Sequence, residues 1–114
     1  MSEAEQAPGR WATAGGGRVD VDHASSSSTI VLHGEIDAAV GARLDVLRAE
    51  AVSAGYGVTL DVSDVPFMDS SGASFVVRLT QGVAPERVRV VRPSPQVLHL
   101  LTVTQLSTIV DITA

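Results

Sequence analysis

Residues 58–77 constrain the fold of this chain more than any other stretch of its sequence. They begin with a short run of β-branched and apolar residues, 58–62, which is typical of a buried strand. Pro66 then interrupts regular strand pairing. The small polar residues at 69–72 are of the kind that cap a helix. An apolar stripe at helical spacing follows them, formed by Phe75, Val76 and Leu79. We therefore predict a strand, a turn and a helix in this order.

The polar turn of this stretch contains Asp69, Ser70, Ser71 and Gly72. The N-terminus of a helix carries unpaired backbone N–H groups and the positive pole of the helix dipole. A hydroxyl presented there can be phosphorylated, since the new phosphate meets hydrogen-bond donors. The simpler interpretation is that these residues only cap the helix. The two interpretations are compatible, because a cap and a phosphoacceptor occupy the same position.

The N-terminal half of the chain adds two strands and one helix. Residues 18–22 alternate polar and apolar side chains, and residues 29–33 form a second strand after a serine-rich loop. The short connection predicts antiparallel pairing. Asp37 stands where a helix N-cap belongs, and the helix is expected to end at Gly55. Its predicted buried face consists of Val40, Leu44, Leu47 and Ala51.

The C-terminal part predicts a strand at 88–91, a helix from Ser94-Pro95 and a short strand at 108–112. The element order β-β-α-β-α-β-α-β indicates an α/β fold with a mixed four- to five-stranded sheet covered by helices. We expect an N-terminal tail at 1–17, with Trp11 in solvent, and one domain at 18–114. The buried side of the last helix is predicted to consist of Val97, Leu98, Leu101 and Val103.

Composition narrows the classes of function. The 114 residues fit a single core, and 45% hydrophobic residues are typical of a globular protein. No apolar run approaches the roughly 20 residues that cross a bilayer, and no signal-peptide pattern is present, so we expect a cytoplasmic protein without a membrane partner. A net charge of -5 without a basic cluster argues against nucleic-acid binding. The lack of cysteine excludes disulfides and thiolate catalysis.

Three segments in this order resemble the STAS domain of anti-sigma factor antagonists. The sequence Gly-Glu-Ile-Asp at 34–37 resembles the family's Gly-Glu-hydrophobic-Asp before its first helix. Residues 60–72, which end in Asp-Ser-Ser-Gly, resemble its strand and phosphoacceptor loop, and residues 88–98 resemble its late strand and following helix. The resemblance spans about 18–113. The chain departs from the family at Ala73-Ser74-Phe75, and at Gln105, where the family commonly carries glycine.

This resemblance implies a function. In the family the serine before the glycine is the phosphoacceptor, which points to Ser71. The unmodified antagonist binds an anti-sigma factor that is also a serine kinase, and thereby frees a sigma factor. Phosphorylation ends this binding, and a metal-dependent serine phosphatase restores it. The resemblance thus implies a regulator of transcription, in stress response or sporulation, that is not an enzyme and needs no cofactor.

The polar residues around Ser71 allow more than one interpretation. Asp69 is expected to brace the loop rather than to act in catalysis. Ser70 is a competing acceptor, although it fits a structural hydroxyl better. Asp37 either caps its helix or contacts the partner, and Ser74 lies on nearly the same helix face as Ser71. The predicted partner-binding or loop-bracing set is Asp37, Asp69, Ser70, Gly72 and Ser74.

Other functions fit the sequence less well. A serine hydrolase needs a base beside Ser70 or Ser71, and neither His33 nor His99 stands in a catalytic motif. His23, His33 and His99 are scattered along the chain and lack the spacing of metal ligands. The main alternative is a STAS module that does not switch and serves as a scaffold or assembly subunit. A hydroxyl at the acceptor position argues against that alternative.

Overall fold

The computed structural model describes residues 16–114. Within them the predicted element order is confirmed. The strands are β1 (Gly16–Asp22), β2 (Ser27–His33), β3 (Gly57–Asp64), β4 (Arg89–Val91) and β5 (Asp111–Thr113). The helices are α1 (Gly41–Ala54), α2 (Ser70–Val83) and α3 (Pro95–Val103), with 3-10 turns at Ala38–Val40 and Leu106–Thr108. Trp11 and the predicted tail up to residue 15 lie outside the described residues.

The strands form one sheet in the order β1-β2-β3-β4-β5. β1 pairs with β2 in antiparallel register, and the other neighbours are parallel. Each helical crossover therefore connects a strand to its next neighbour, always in the same direction across the sheet. Because such crossovers are right-handed, the three helices lie on the same face of the sheet. The predicted mixed α/β sheet is confirmed.

The core lies between this helical layer and one face of the sheet. Alternate residues of β2 and β3 are buried on that face: Ile30, Leu32, Val58, Leu60 and Val62. Their neighbours on the opposite face, such as Thr29 and Asp61, are only partly buried. Strand alternation thus explains the burial pattern, since successive side chains point to opposite faces.

Helix α1 follows its sequence signals closely. Asp37 caps the short 3-10 turn before it, since its Oδ1 accepts a hydrogen bond from the Ala39 N–H at 3.0 Å. The helix ends at Gly55, whose φ of 77° lies in the left-handed region that favours glycine. The predicted buried face, Val40, Leu44, Leu47 and Ala51, is confirmed.

The C-terminal third corrects two predictions. Leu98 and Val103 are 40% and 60% exposed, so their predicted burial on α3 is wrong. The buried residues of α3 are Val97 and Leu101, one turn apart, because this short helix turns a narrow stripe toward the core. The final strand is also shorter than predicted and begins at Asp111.

A turn replaces the first half of the predicted final strand. Leu106, the first residue of the 3-10 turn, and Val110, two residues after it, are both buried. Their hydrophobic side chains therefore anchor a bend rather than an extended segment. Gln105 precedes this turn with a φ of 64°. It therefore takes the left-handed conformation in which the family commonly has glycine, at a cost of roughly 1–2 kcal/mol for a residue with a Cβ.

Candidate functional site

Two loops meet at the carboxyl ends of β2 and β3. An isolated parallel bridge joins Ile36 to Met68. The Ile36 N–H donates to the Phe67 carbonyl, and the Asp69 N–H donates to the Ile36 carbonyl, each at 3.0 Å. These bonds hold the starts of α1 and α2 side by side. The predicted site residues therefore lie at the carboxyl ends of two neighbouring parallel strands.

Asp69 organises the start of α2. Its backbone is extended, and its Oδ1 accepts a hydrogen bond from the Ser71 N–H at 2.8 Å. Its carbonyl accepts from the Ala73 N–H at 3.1 Å. Ser70 is the first residue of the helix and is exposed, whereas Ser71 is half-buried. Asp69 therefore serves as the N-cap of the helix that carries the two serines at its start.

Gly72 and Met68 pack against each other beneath the loop. Met68 is 1% exposed and belongs to the core, whereas Phe67 is 40% exposed. A Cβ on Gly72 would collide with Cγ of Met68 and would lie 2.7 Å from its Sδ. The methionine thus occupies the space that any side chain at position 72 would need.

A groove of about 220 Å³ runs between α1 and α2 with Ser71 on its wall. An ion pair crosses from one helix to the other, because Nη1 of Arg78 lies 3.3 Å from Oδ1 of Asp45. Ser74 lies on the same wall as Ser71, which places the two hydroxyls in one groove. The lining residues are Ala38, Gly41, Leu44, Asp45, Ser71, Ser74, Phe75 and Arg78.

Five of the six predicted site residues gather at the start of α2. They are Asp69, Ser70, Ser71, Gly72 and Ser74. Asp37 joins them through the bridge at Ile36, because it caps the turn that leads into α1. Sequence reasoning missed Asp45 and Arg78. Arg78 carried a usable signal, since it lies seven residues after Ser71 and hence on the same helix face, but the pairing with Asp45 depends on helix packing.

The described residues give no support to the hydrolase or metal alternatives. None of the described residues that line the groove is histidine, so neither His33 nor His99 lies beside Ser71 there. Between residues 16 and 114, no group of three or more metal-ligating side chains is assembled. In the same range, no helix has the length and apolar character to span a bilayer.

A family model described as Mlab, STAS domain, matches residues 19–111. The chain belongs to the STAS domain family. An anti-sigma factor antagonist from Mycobacterium paratuberculosis shares the fold of this STAS domain, with a TM-score of 0.78 and 22% identity over 87% of this chain and 85% of the other. A comparison with curated proteins gives no match.

The fold of this STAS domain is also that of SpoIIAA in two states. The anti-sigma factor antagonist SpoIIAA in its unphosphorylated form gives a TM-score of 0.68 with 20% identity, over 86% of this chain and 88% of the other. The phosphorylated form of the Bacillus cell fate determinant SpoIIAA gives a TM-score of 0.65 with 19% identity, over 86% of this chain and 91% of the other. At this identity the likeness shows a common fold.

Proposed function

We propose that this STAS domain is an anti-sigma factor antagonist controlled by phosphorylation of Ser71. In the unmodified state it binds an anti-sigma factor that is also a serine kinase, and a sigma factor is freed. The observation that carries this proposal is the position of Ser71, a half-buried hydroxyl at a capped helix start on the wall of the α1–α2 groove. The phosphorylated and unphosphorylated SpoIIAA structures, which have the same fold, support it.

The proposed modification is a phosphoryl transfer. The Ser71 Oγ attacks the γ-phosphorus of ATP, the bond to the β-phosphate oxygen breaks, and ADP leaves. The hydroxyl proton passes to a base of the kinase. A serine phosphatase reverses the state by hydrolysis, in which water attacks the phosphorus and inorganic phosphate leaves. The STAS domain is thus a substrate in both steps and supplies no catalytic group.

Charge explains how phosphorylation would block the partner. The phosphate adds about -1.5 to -2 charges at pH 7. The helix N-terminus favours this charge, so the domain itself should stay folded. A docked partner would have to remove water from a dianion beside the Asp69 carboxylate, which is costly without paired cations. The switch therefore acts at the interface rather than on the fold.

The decisive experiment uses the full chain, ATP and a candidate anti-sigma kinase. We expect mass spectrometry to show a gain of one phosphate that is lost in Ser71→Ala and kept in the matched variant Ser70→Ala. The phosphorylated protein should lose affinity for the kinase in a pull-down, and phosphatase treatment should restore it. A phosphate gain that survives in Ser71→Ala would exclude Ser71 as the acceptor.

A STAS assembly subunit that does not switch is the second candidate, because the matching family description names Mlab rather than an antagonist. In that case Ser71 would serve only as part of the helix start. The same experiment separates the two functions. A stable partner complex that forms equally with the wild-type chain and with Ser71→Glu, without any phosphate gain in ATP, would favour the assembly subunit.

A further inference from the structure

One face of α2 carries two hydroxyls and a guanidinium in a line. Ser71, Ser74 and Arg78 are separated by three and four residues, which is the spacing of neighbours on one helix face. All three line the α1–α2 groove. The charged residues that line this groove are Asp45 from α1 and Arg78 from α2. The Asp69 carboxylate borders Ser71 at the helix start, and Arg48 lies 3.9 Å from Asp45 on α1. The groove therefore offers a cation two helical turns from the proposed phosphoacceptor.

The present partner of Arg78 is easily exchanged. Its ion pair with Asp45 spans 3.3 Å, and the two side chains are 57% and 52% exposed. Exposed pairs of this kind contribute little to stability, because water and salt screen them. A phosphate carries about twice the charge of a carboxylate and accepts two parallel hydrogen bonds from a guanidinium. A phosphate within reach would therefore compete well for Arg78.

We propose that Arg78 is the receptor of the phosphate on Ser71. This inference rests on the proposed function, since it assigns a second state to the same site. In the unmodified protein Arg78 pairs with Asp45. In the phosphorylated protein the phosphate turns into the groove, and Arg78 leaves Asp45 to bind it. Ser74, between them, donates its hydroxyl hydrogen to a phosphate oxygen.

Helix geometry permits this exchange. Seven residues span two turns, or about 10.5 Å along the axis. Long helical side chains lean toward the N-terminus, so Arg78 leans toward Ser71. The Ser71 side chain leans the same way, so its phosphate must turn back along the groove to meet the long Arg78 side chain. The groove volume of about 220 Å³ leaves room for it between the two helices.

The exchange would change the surface that a partner contacts in two ways. The phosphate fills the groove beside Ser71, and the Asp45 carboxylate on α1 loses its nearest cation. The phosphate makes the α1–α2 surface more negative, and the movement of Arg78 leaves Asp45 with Arg48, at 3.9 Å, as its remaining cation. The switch would therefore extend from the start of α2 across to α1, rather than act only at the modified hydroxyl.

The test uses full-length protein with phosphoserine installed at position 71 during synthesis, so that no kinase is needed. The second pKa of the phosphate, ordinarily about 6, is followed by phosphorus NMR. We expect Arg78→Gln to raise this pKa by about 0.5 or more, because a neighbouring cation favours the dianion. Asp45→Asn should lower it, since a competing anion is removed.

Arg43→Gln is the matched control. This substitution removes the same positive charge, but from α1, where the Arg43 guanidinium donates to the Gly17 carbonyl at 3.0 Å. Its phosphate pKa should equal that of the unsubstituted phosphoprotein. Equal values for Arg78→Gln and Arg43→Gln would overturn the proposal, as would a higher value for Asp45→Asn. Proton NMR spectra confirm that each variant is folded. A failure of the proposed kinase reaction would leave these pKa values unaffected, so the two hypotheses fail separately.

Discussion

At the scale of single residues, position 72 shows how closely the site is packed. Gly72 is buried in the first turn of α2, and Met68 fills the space where its Cβ would lie. Gly41 at the start of α1 has a helical φ of -57° and nothing within 4 Å of such a Cβ. The two glycines therefore differ in what they tolerate, although both stand in the first turn of a helix.

We predict opposite effects of the same substitution at these glycines. Gly72→Ala should lower the free energy of unfolding by about 1–3 kcal/mol, because it overpacks the contact with Met68. Gly41→Ala should raise it by about 0.4–1 kcal/mol by restricting the unfolded chain. Urea denaturation measures both. Equal stability of the two variants would show that Met68 moves aside without cost.

At the scale of elements, α3 is held by a narrow stripe. Leu101 is 1% exposed, whereas Leu98 on the adjacent turn is 40% exposed. Ser94 caps the helix, since its hydroxyl accepts a hydrogen bond from the Val97 N–H at 3.2 Å. Leu98 nevertheless faces away from the core, because the short helix presents one row of side chains to the sheet.

We predict that two identical substitutions on α3 differ severalfold in effect. Leu101→Ala should cost about 2–5 kcal/mol of unfolding free energy, because it leaves a cavity in the core. Leu98→Ala, three residues earlier, should cost less than about 1 kcal/mol. Thermal or urea unfolding gives both values. A Leu98→Ala cost as large as that of Leu101→Ala would contradict the observed packing.

At the scale of the whole molecule, the sheet face away from the helices carries charge. Asp61 of β3 and Arg92, just after β4, form an ion pair of 3.1 Å across neighbouring strands. Burial raises the pKa of the Asp61 carboxyl, but hydrogen bonds from Ser63 and the Arg92 guanidinium outweigh it and hold the pKa below its ordinary value. Ionised Asp61 therefore links two strands.

This carboxylate predicts part of the acid sensitivity of the fold. Because its pKa is lower in the folded state, its contribution is present above the unfolded pKa, about 3.9, and is lost as the pH falls through the folded value. Asp61→Asn should therefore be less stable than the wild type near pH 6, with the difference shrinking below about pH 4. Arg92→Gln should retain part of the stabilisation by ionised Asp61, since the Ser63 hydrogen bonds still lower the Asp61 pKa. Urea midpoints across this pH range measure it.

Much of this fold could be predicted from local signals in the sequence. The caps at Asp37 and Asp69 and the stop at Gly55 depend on residues close along the chain, and the structure has helices where these signals stand. The β-branched and apolar run at 58–62 likewise predicted strand β3. Such features depend on hydrogen bonds and conformational preferences within a few residues.

Other features were decided only by tertiary packing. Local sequence patterns specify the order of elements and the hydroxyls at the start of α2, because periodicity and capping are local properties. The tertiary structure decided that Leu98 faces solvent, that Gln105 takes a left-handed turn, and that Asp45 meets Arg78 across a groove. Each of these depends on how helices and strands that are distant in the chain pack together, so no short stretch of sequence predicts it.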